Sequence, residues 1–286
     1  MRKKHNKKKK SKSINNKRNT VRNTVRKKTK KTKKKTVRRK SSIKKFKIID
    51  VPFSKKINQG TKASKNKIDY HYQNLNNISD FLHKLYLKKQ IKNITFFKDI
   101  DYSVLQIDIK NKDIYPYYIE LKDFKKYLNI CLKNKERFIP ISVNSELPVG
   151  SNGVENHANI LLIDKSFKNI EFFEPHGHKP KQSTYSQSVQ KYHSKLKIIK
   201  MFFKSLLPNY NIINVVDYIK DKHSFQSKYD SNSGYCVTWS TIYSHYRLIN
   251  QNVPIPLIID YLYNLINKNL LLRYARYIED ILKSKL

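Results

Sequence analysis

Asn232-Ser233-Gly234-Tyr235-Cys236-Val237-Thr238-Trp239-Ser240 sets a glycine two residues ahead of a cysteine, and the cysteine opens a stretch with helical spacing. Val237, Trp239, Ile242, Tyr243, Tyr246 and Leu248 share one broad apolar face at that spacing. The polar approach through Gly234 reads as a turn that feeds a helix N-terminus. A thiol there sits beside unpaired backbone N–H groups and the positive end of the helix dipole. Both favour the thiolate, which is the nucleophilic form. Taken alone, the stretch also fits a buried structural cysteine, because free cysteines are commonly buried. An imidazole and an acid from elsewhere in the chain would decide between the two.

Upstream of Cys236, residues 223–233 form a polar loop containing Gln226, and residues 210–219 have the β-branched density of a buried strand. Residues 189–207 read as a helix, with Leu196, Ile199, Phe202, Phe203 and Leu206 on one face. Ahead of it the sequence predicts three strands, at 137–143, 158–164 and 170–174. A turn-rich loop over 148–156 delivers the chain to His157, and a hairpin-length turn covers 165–169. His157 thus heads one strand, and Glu174 closes the next. Going up one antiparallel strand and back down its neighbour returns the chain to the same level, so two side chains 17 residues apart meet side by side. An acid that orients a histidine needs that geometry. Glu171 falls on the opposite face by alternation, and Asp164 lies at the far end of its strand, so Glu174 is the predicted acid.

His157, Glu174 and Cys236 make a constellation in which the imidazole takes the thiol proton while the carboxylate fixes the imidazole tautomer. An acyl-transfer intermediate also needs oxyanion donors. Backbone N–H groups at the start of the Cys236 helix supply them, with Gln226 as the side-chain amide. Cys131, on an apolar helical stripe with Phe124, Tyr127 and Leu128, reads as a structural thiol. Trp239 reads as core, and Tyr235 fits either a substrate cleft or core. His176 and His178 are possible metal ligands, but no second pair at ligand spacing accompanies them, so neither metal nor cofactor is expected.

The order His157 in HANILLID, Glu174 in FFEP, Gln226, and Cys236 in GYCVTWS resembles the adenain and SUMO-protease superfamily of cysteine peptidases, clan CE. It is most similar to divergent members encoded by large DNA viruses. The resemblance covers roughly residues 135–250. Two departures are Ala158, where SUMO proteases place an aromatic, and the spacing of the amide: Asp230 stands six before the cysteine and Gln226 ten before. The resemblance implies an α+β fold, a mixed and mostly antiparallel sheet packed on a central cysteine-bearing helix with flanking helices. It implies a thiol peptidase that cleaves after a small residue, acting on viral precursor proteins or ubiquitin-like conjugates. Acetyl transfer from coenzyme A uses the same three residue types on a related fold, and a non-catalytic nucleic-acid packaging protein is the third reading.

The rest of the chain is organised around this core. Of the formal net charge of +40, residues 1–49 contribute 25 Lys and Arg with no acid, leaving +15 for the other 237 residues. Poor in large apolar side chains, residues 1–49 cannot offset the entropy of ordering and read as a disordered basic arm that binds nucleic-acid phosphates through counterion release. Residues 50–75 read as a linker, 76–134 as a helical and β extension, 135–250 as the core, and 251–286 as amphipathic helices packed on it. Within the extension, residues 77–91 have helical spacing, and short strands are expected at 94–97, 102–109 and 115–121. Two cysteines give no disulfide framework, which suits an intracellular setting, with virion, viral factory or host nucleus as places the arm could take the chain. No run of about 18 apolar residues is present, so no membrane span is expected.

Overall fold

The structure, a computed structural model, describes residues 46–51, 76–149, 153–177, 186–219, 224–226 and 235–285. Most of the expected arm and linker lie outside the described residues. Residues 46–51 span the expected seam between them and lie against the core. Val51 is fully buried, and the Asn250 amide accepts the Ile49 N–H (2.7 Å) and donates to the Ile49 carbonyl (3.0 Å).

Among the described residues, six strands form one sheet in the order β2-β1-β3-β4-β5-β6. They are β1 (Val104–Asp108), β2 (Asp113–Pro116), β3 (Phe138–Val149), β4 (Gly153–Asp164), β5 (Asn169–Phe173) and β6 (Asn211–Asn214). The β1–β2, β3–β4 and β4–β5 pairs are antiparallel, whereas β1–β3 and β5–β6 are parallel. The helices are α1 (Asn76–Leu87), α2 (Leu121–Lys133), α3 (Ser186–Leu206), α4 (Cys236–Ile249), α5 (Ile255–Leu265) and α6 (Lys268–Lys283). The architecture is therefore α+β with a mixed, mostly antiparallel sheet.

The inner segments of β3 (138–143) and β4 (160–163) are largely apolar because helices cover both of their faces. Ile139, Ile141, Val143 and Ile160 through Ile163 are all fully buried. Helices α1 and α4 share one face. Ser79 of α1 meets Ser142 Oγ at 3.0 Å, and on the same row of the sheet Phe173 stacks on Tyr243 of α4 at 4.6 Å. Helix α4 is buried along nearly its whole length and is the pillar of the fold. On the opposite face lies α3, which reaches α2 through Phe124 and Phe202.

Several expected boundaries move. The loop expected at 148–156 shrinks, because β3 and β4 run on as a long hairpin with Val149 opposite Gly153. His157 consequently sits inside β4 rather than at its head. Pro148 and Asn156 carry turn propensity, but pairing across the hairpin, Pro148 with Val154 and Asn156 with Glu146, overrides it. The strand expected over 210–219 ends at Asn214, whose side chain donates to Asp217 Oδ1 (2.7 Å) and closes a short helical turn, Val215–Tyr218. At 94–97 only an isolated bridge forms, between Ile94 and Phe138. The strand expected over 115–121 gives way at Pro116, and α2 starts at Leu121.

Candidate active site

The site lies where β5 stops short of β4. The last β4–β5 pair is Ile160 with Phe173, so continued pairing would have set Ala158 opposite position 175. The chain turns away there instead. The N–H of Gly177 closes onto the Glu174 carbonyl (3.0 Å), and Gly177 takes φ +62°, a left-handed conformation that favours glycine. A Cβ at Gly177 would also come within 2.7 Å of Ser224 Cβ, so glycine lets the 224–226 segment close on the turn.

The Cys236 sulfur occupies the opening that β5 leaves. It accepts the backbone N–H of Ala158 and hydrogen-bonds to His157. One turn further along α4, the Ser240 hydroxyl donates to the Ala158 carbonyl (3.3 Å). Ala158 is thus held by α4 through both of its backbone groups, which sets the helix against the strand. Cys236 starts the helix, with Tyr235 as its N-cap and no acidic residue in the first turn, so the positive end of the dipole faces the sulfur.

His157 Nε2 hydrogen-bonds to Glu174 Oε1, which leaves Nδ1 as the ring nitrogen for the sulfur. The three residues that the sequence singled out are therefore connected in the order carboxylate, imidazole, thiol. All three are buried, with His157 2 % and Cys236 8 % exposed. Burial raises the Glu174 carboxyl, but the cations of His157 and Lys195 outweigh it and hold the group well below the usual carboxylate range. Burial by itself would depress His157. Glu174, and then Cys236, overcome this and lift the imidazole to about 9, against the pull of Lys195. For Cys236, burial raises the thiol, while the His157 cation, its hydrogen bond and the Ala158 N–H bring it below its ordinary value. A lowered thiol beside a raised imidazole favours transfer of the sulfur proton to the ring.

The alternative acids serve other ends. Glu171 faces α4, where Arg247 Nε and Nη2 donate to it at 2.9–3.0 Å and the Tyr243 hydroxyl donates at 2.7 Å. Asp164 is gripped by Arg137 at 2.8 and 2.6 Å and by Arg247 at 3.3 Å. Both are structural carboxylates of one buried ion network. Cys131 is buried, donates to the Phe96 carbonyl (3.3 Å), and has its thiol pushed up by burial. Trp239 is core at 1 % exposed, and Tyr235 is buried at 8 % beside the sulfur.

Gln226 is drawn to the site by its backbone. Its N–H donates to the Pro175 carbonyl (3.1 Å), while the neighbouring Phe225 ring packs on Phe173 and Trp239 at 5.5 and 5.1 Å. The amide is buried, and its Oε1 has no hydrogen-bond partner among the described residues. The His176 ring lies 4.1 Å from the His157 ring, tilted by 39°, and its backbone N–H donates to Glu174 Oε1 (3.1 Å). Desolvation and the neighbouring His157 cation hold its imidazole below the ordinary value. His178 lies outside the described residues, as does the 232–234 approach to the cysteine. No group of three or more metal-ligating side chains occurs among the described residues.

Lys195 of α3 has no place in the sequence reading. Its Nζ donates to Glu174 Oε2 at 2.7 Å and is buried. The signal was a lysine on the apolar stripe of α3, four residues before Ile199 and in line with Phe202 and Leu206.

No family profile and no curated protein sequence matches the chain. Among solved structures it is similar to the SUMO protease Ulp1 with its catalytic cysteine oxidised to a sulfinic acid, at 13% identity over 83% of this chain and 99% of that one, with a TM-score of 0.38. An ASFV protease matches at 14% identity over 72% and 66% of the two chains, with a TM-score of 0.41. ChlaDub1 from Chlamydia trachomatis matches at 13% over 74% and 92%, with a TM-score of 0.39. At this distance the likeness assigns no activity, and the functional reading rests on the site itself.

Proposed function

We propose that the protein is a cysteine peptidase in which Cys236 is the nucleophile, His157 the general acid–base and Glu174 the orienting carboxylate. The observation that carries the reading is the single imidazole hydrogen-bonded to a buried carboxylate on one nitrogen and to a thiol at a helix N-terminus on the other. The thiolate attacks a carbonyl carbon, and the imidazolium returns its proton to the leaving amine. Water then releases the acyl group from sulfur with His157 acting as base. Backbone N–H groups of the first turn of α4 face the developing oxyanion, and Gln226 is the side-chain candidate to assist them.

The sulfur is recessed, at 8 % exposed for both Cys236 and Tyr235, so a slim acyl residue such as glycine suits the approach. Precursor proteins or ubiquitin-like conjugates cleaved after a small residue are the substrate class that follows. The basic arm, residues 1–49, would tether the enzyme to nucleic acid and raise its effective concentration near substrate held there.

The deciding experiment is labelling with a glycine-ending ubiquitin-like vinyl sulfone beside a general thiol-reactive probe, on wild type and on Cys236→Ala. Labelling by both probes that is lost in Cys236→Ala supports the reading. Inertness of Cys236 toward the general probe would overturn it. Acetylation of a protein acceptor from acetyl-coenzyme A, without peptide cleavage, would move the same residues to acyl transfer.

A further inference from the structure

Beyond the three groups of the proposed site, one more buried cation among the described residues is aimed at it. Lys195 is 3 % exposed and sets its Nζ 2.7 Å from Glu174 Oε2. The other carboxylate oxygen is taken by His157 Nε2 and, at 3.1 Å, by the His176 N–H. An ammonium group loses much hydration on burial and is tolerated only beside a lasting counter-charge, so this is not an incidental surface contact. A surface lysine that far inside a helix interface would instead extend its head to water.

We propose that Lys195 is a positioning residue for the peptidase site: its ammonium pins the outer oxygen of Glu174, so that Oε1 alone is offered to His157, and balances the carboxylate charge against the imidazole. Tied on one side only, a carboxylate rotates and presents either oxygen. The second anchor removes that freedom and holds the ring in line with the sulfur. The charge matters as much as the geometry. Glu174 unopposed would grip the imidazolium so firmly that proton transfer to a leaving amine slows. Among the described residues the groups facing Glu174 are His157 from β4, His176 from its own turn and Lys195 from α3, with Cys236 of α4 acting through His157. Burial lowers His157 and Glu174 raises it, while Lys195 pulls it back down.

The consequence for turnover rests on the peptidase reading, but the electrostatic effect is measured on His157 itself and survives if no peptide is ever cleaved. The full chain carrying Cε1-labelled histidine is titrated by NMR as wild type, Lys195→Met, Lys195→Gln and Lys195→Arg. In the two uncharged variants the His157 midpoint is expected to rise by about one pH unit, the scale of one nearby charge removed. Lys195→Arg restores it to within a few tenths of the wild-type value. An unmoved midpoint in either folded uncharged variant would overturn the proposal, as would an equal rise in Lys195→Arg. Should neither uncharged variant fold, wild type still decides through its lysine Nζ resonances: an ammonium protected from solvent exchange and coupled to Glu174 is expected, and a freely exchanging Lys195 would refute the anchor.

Discussion

Glu171 lies in β5 and Glu174 just past its end, and their side chains run to opposite sides of the sheet. Glu171 points into α4 and neutralises Arg247, whereas Glu174 points to the far side and hydrogen-bonds to His157 Nε2. Both are fully buried and both are paired with a cation. The difference lies in what else each touches. Among the described residues Glu171 contacts the structural partners Arg247 and Tyr243, while Glu174 contacts an imidazole that in turn reaches a sulfur.

Exchange of each for glutamine therefore separates stability from activity. Glu171→Gln leaves Arg247 short of its counter-charge and is expected to cost about 3–5 kcal/mol of stability, with labelling of Cys236 retained below the lowered melting point. Glu174→Gln is expected to slow vinyl-sulfone labelling by about 10²-fold or more, since the imidazole loses both its orientation and its charge partner. Thermal melts and labelling rates on the two variants check this. A Glu174→Gln protein that labels at the wild-type rate would remove the acid from the site.

The pH dependence follows from the two shifts. Cys236 is lowered and His157 is raised to about 9, so both shifts favour a thiolate–imidazolium pair, which is expected to last until the imidazole deprotonates. Alkylation by iodoacetate, an anion drawn to the imidazolium, should hold a plateau through pH 7 and fall near 9. The stability linkage has matching signs. Glu174, depressed on folding, contributes stability that is present above the ordinary carboxylate range and lost as the pH falls through its folded value. His157, raised from 6.5, contributes stability that is full below 6.5 and lost as the pH climbs through about 9. Iodoacetate labelling that only begins to rise above pH 8 would contradict the ion pair.

Cys131 supplies the internal control. Buried, bonded to the Phe96 carbonyl and raised by desolvation, it is expected to stay unlabelled in the native protein at pH 7. Intact-mass analysis should find one adduct per chain in wild type and none in Cys236→Ala. Cys131→Ala should cost about 1–2 kcal/mol by opening a small cavity and leave the labelling rate unchanged.

How far the site was legible depends on the distance over which sequence pattern acts. His157 and Glu174 were found because hairpin arithmetic relates them within 17 residues, and Cys236 because a helix start announces itself locally. The arithmetic was two residues out: continued pairing would set Glu174 opposite Asn159, and it reaches His157 because β5 ends at Phe173 and the chain turns there. Lys195 was missed because charged residues are assigned to solvent unless they interrupt an apolar stripe, and in a lysine-rich helix that interruption is easy to overlook. The grip of Arg247 on Glu171, 76 residues away, carries no local signal at all. Such pairing emerges only when α4 is laid on the sheet.

Residues 46–51 yield the last prediction. The Asn250 side chain takes both backbone groups of Ile49, the Tyr246 hydroxyl donates to Asp50 Oδ1 at 2.6 Å, and Val51 is fully buried. Tyr246 and Asn250 belong to α4 and its C-cap, so this short segment closes the end of the helix opposite Cys236. Deletion of residues 1–45 should leave the melting temperature unchanged while weakening nucleic-acid binding and flattening its dependence on salt, because cationic contacts are lost without core burial. Deletion through residue 51 should in addition cost about 2–4 kcal/mol, from the lost Val51 burial and the stranded polar groups of Tyr246 and Asn250. Paired melts and salt titrations of the two truncations test the division. Equal melting temperatures would mean that the segment merely rests on the core, and unchanged binding by the shorter chains would deny the arm its part.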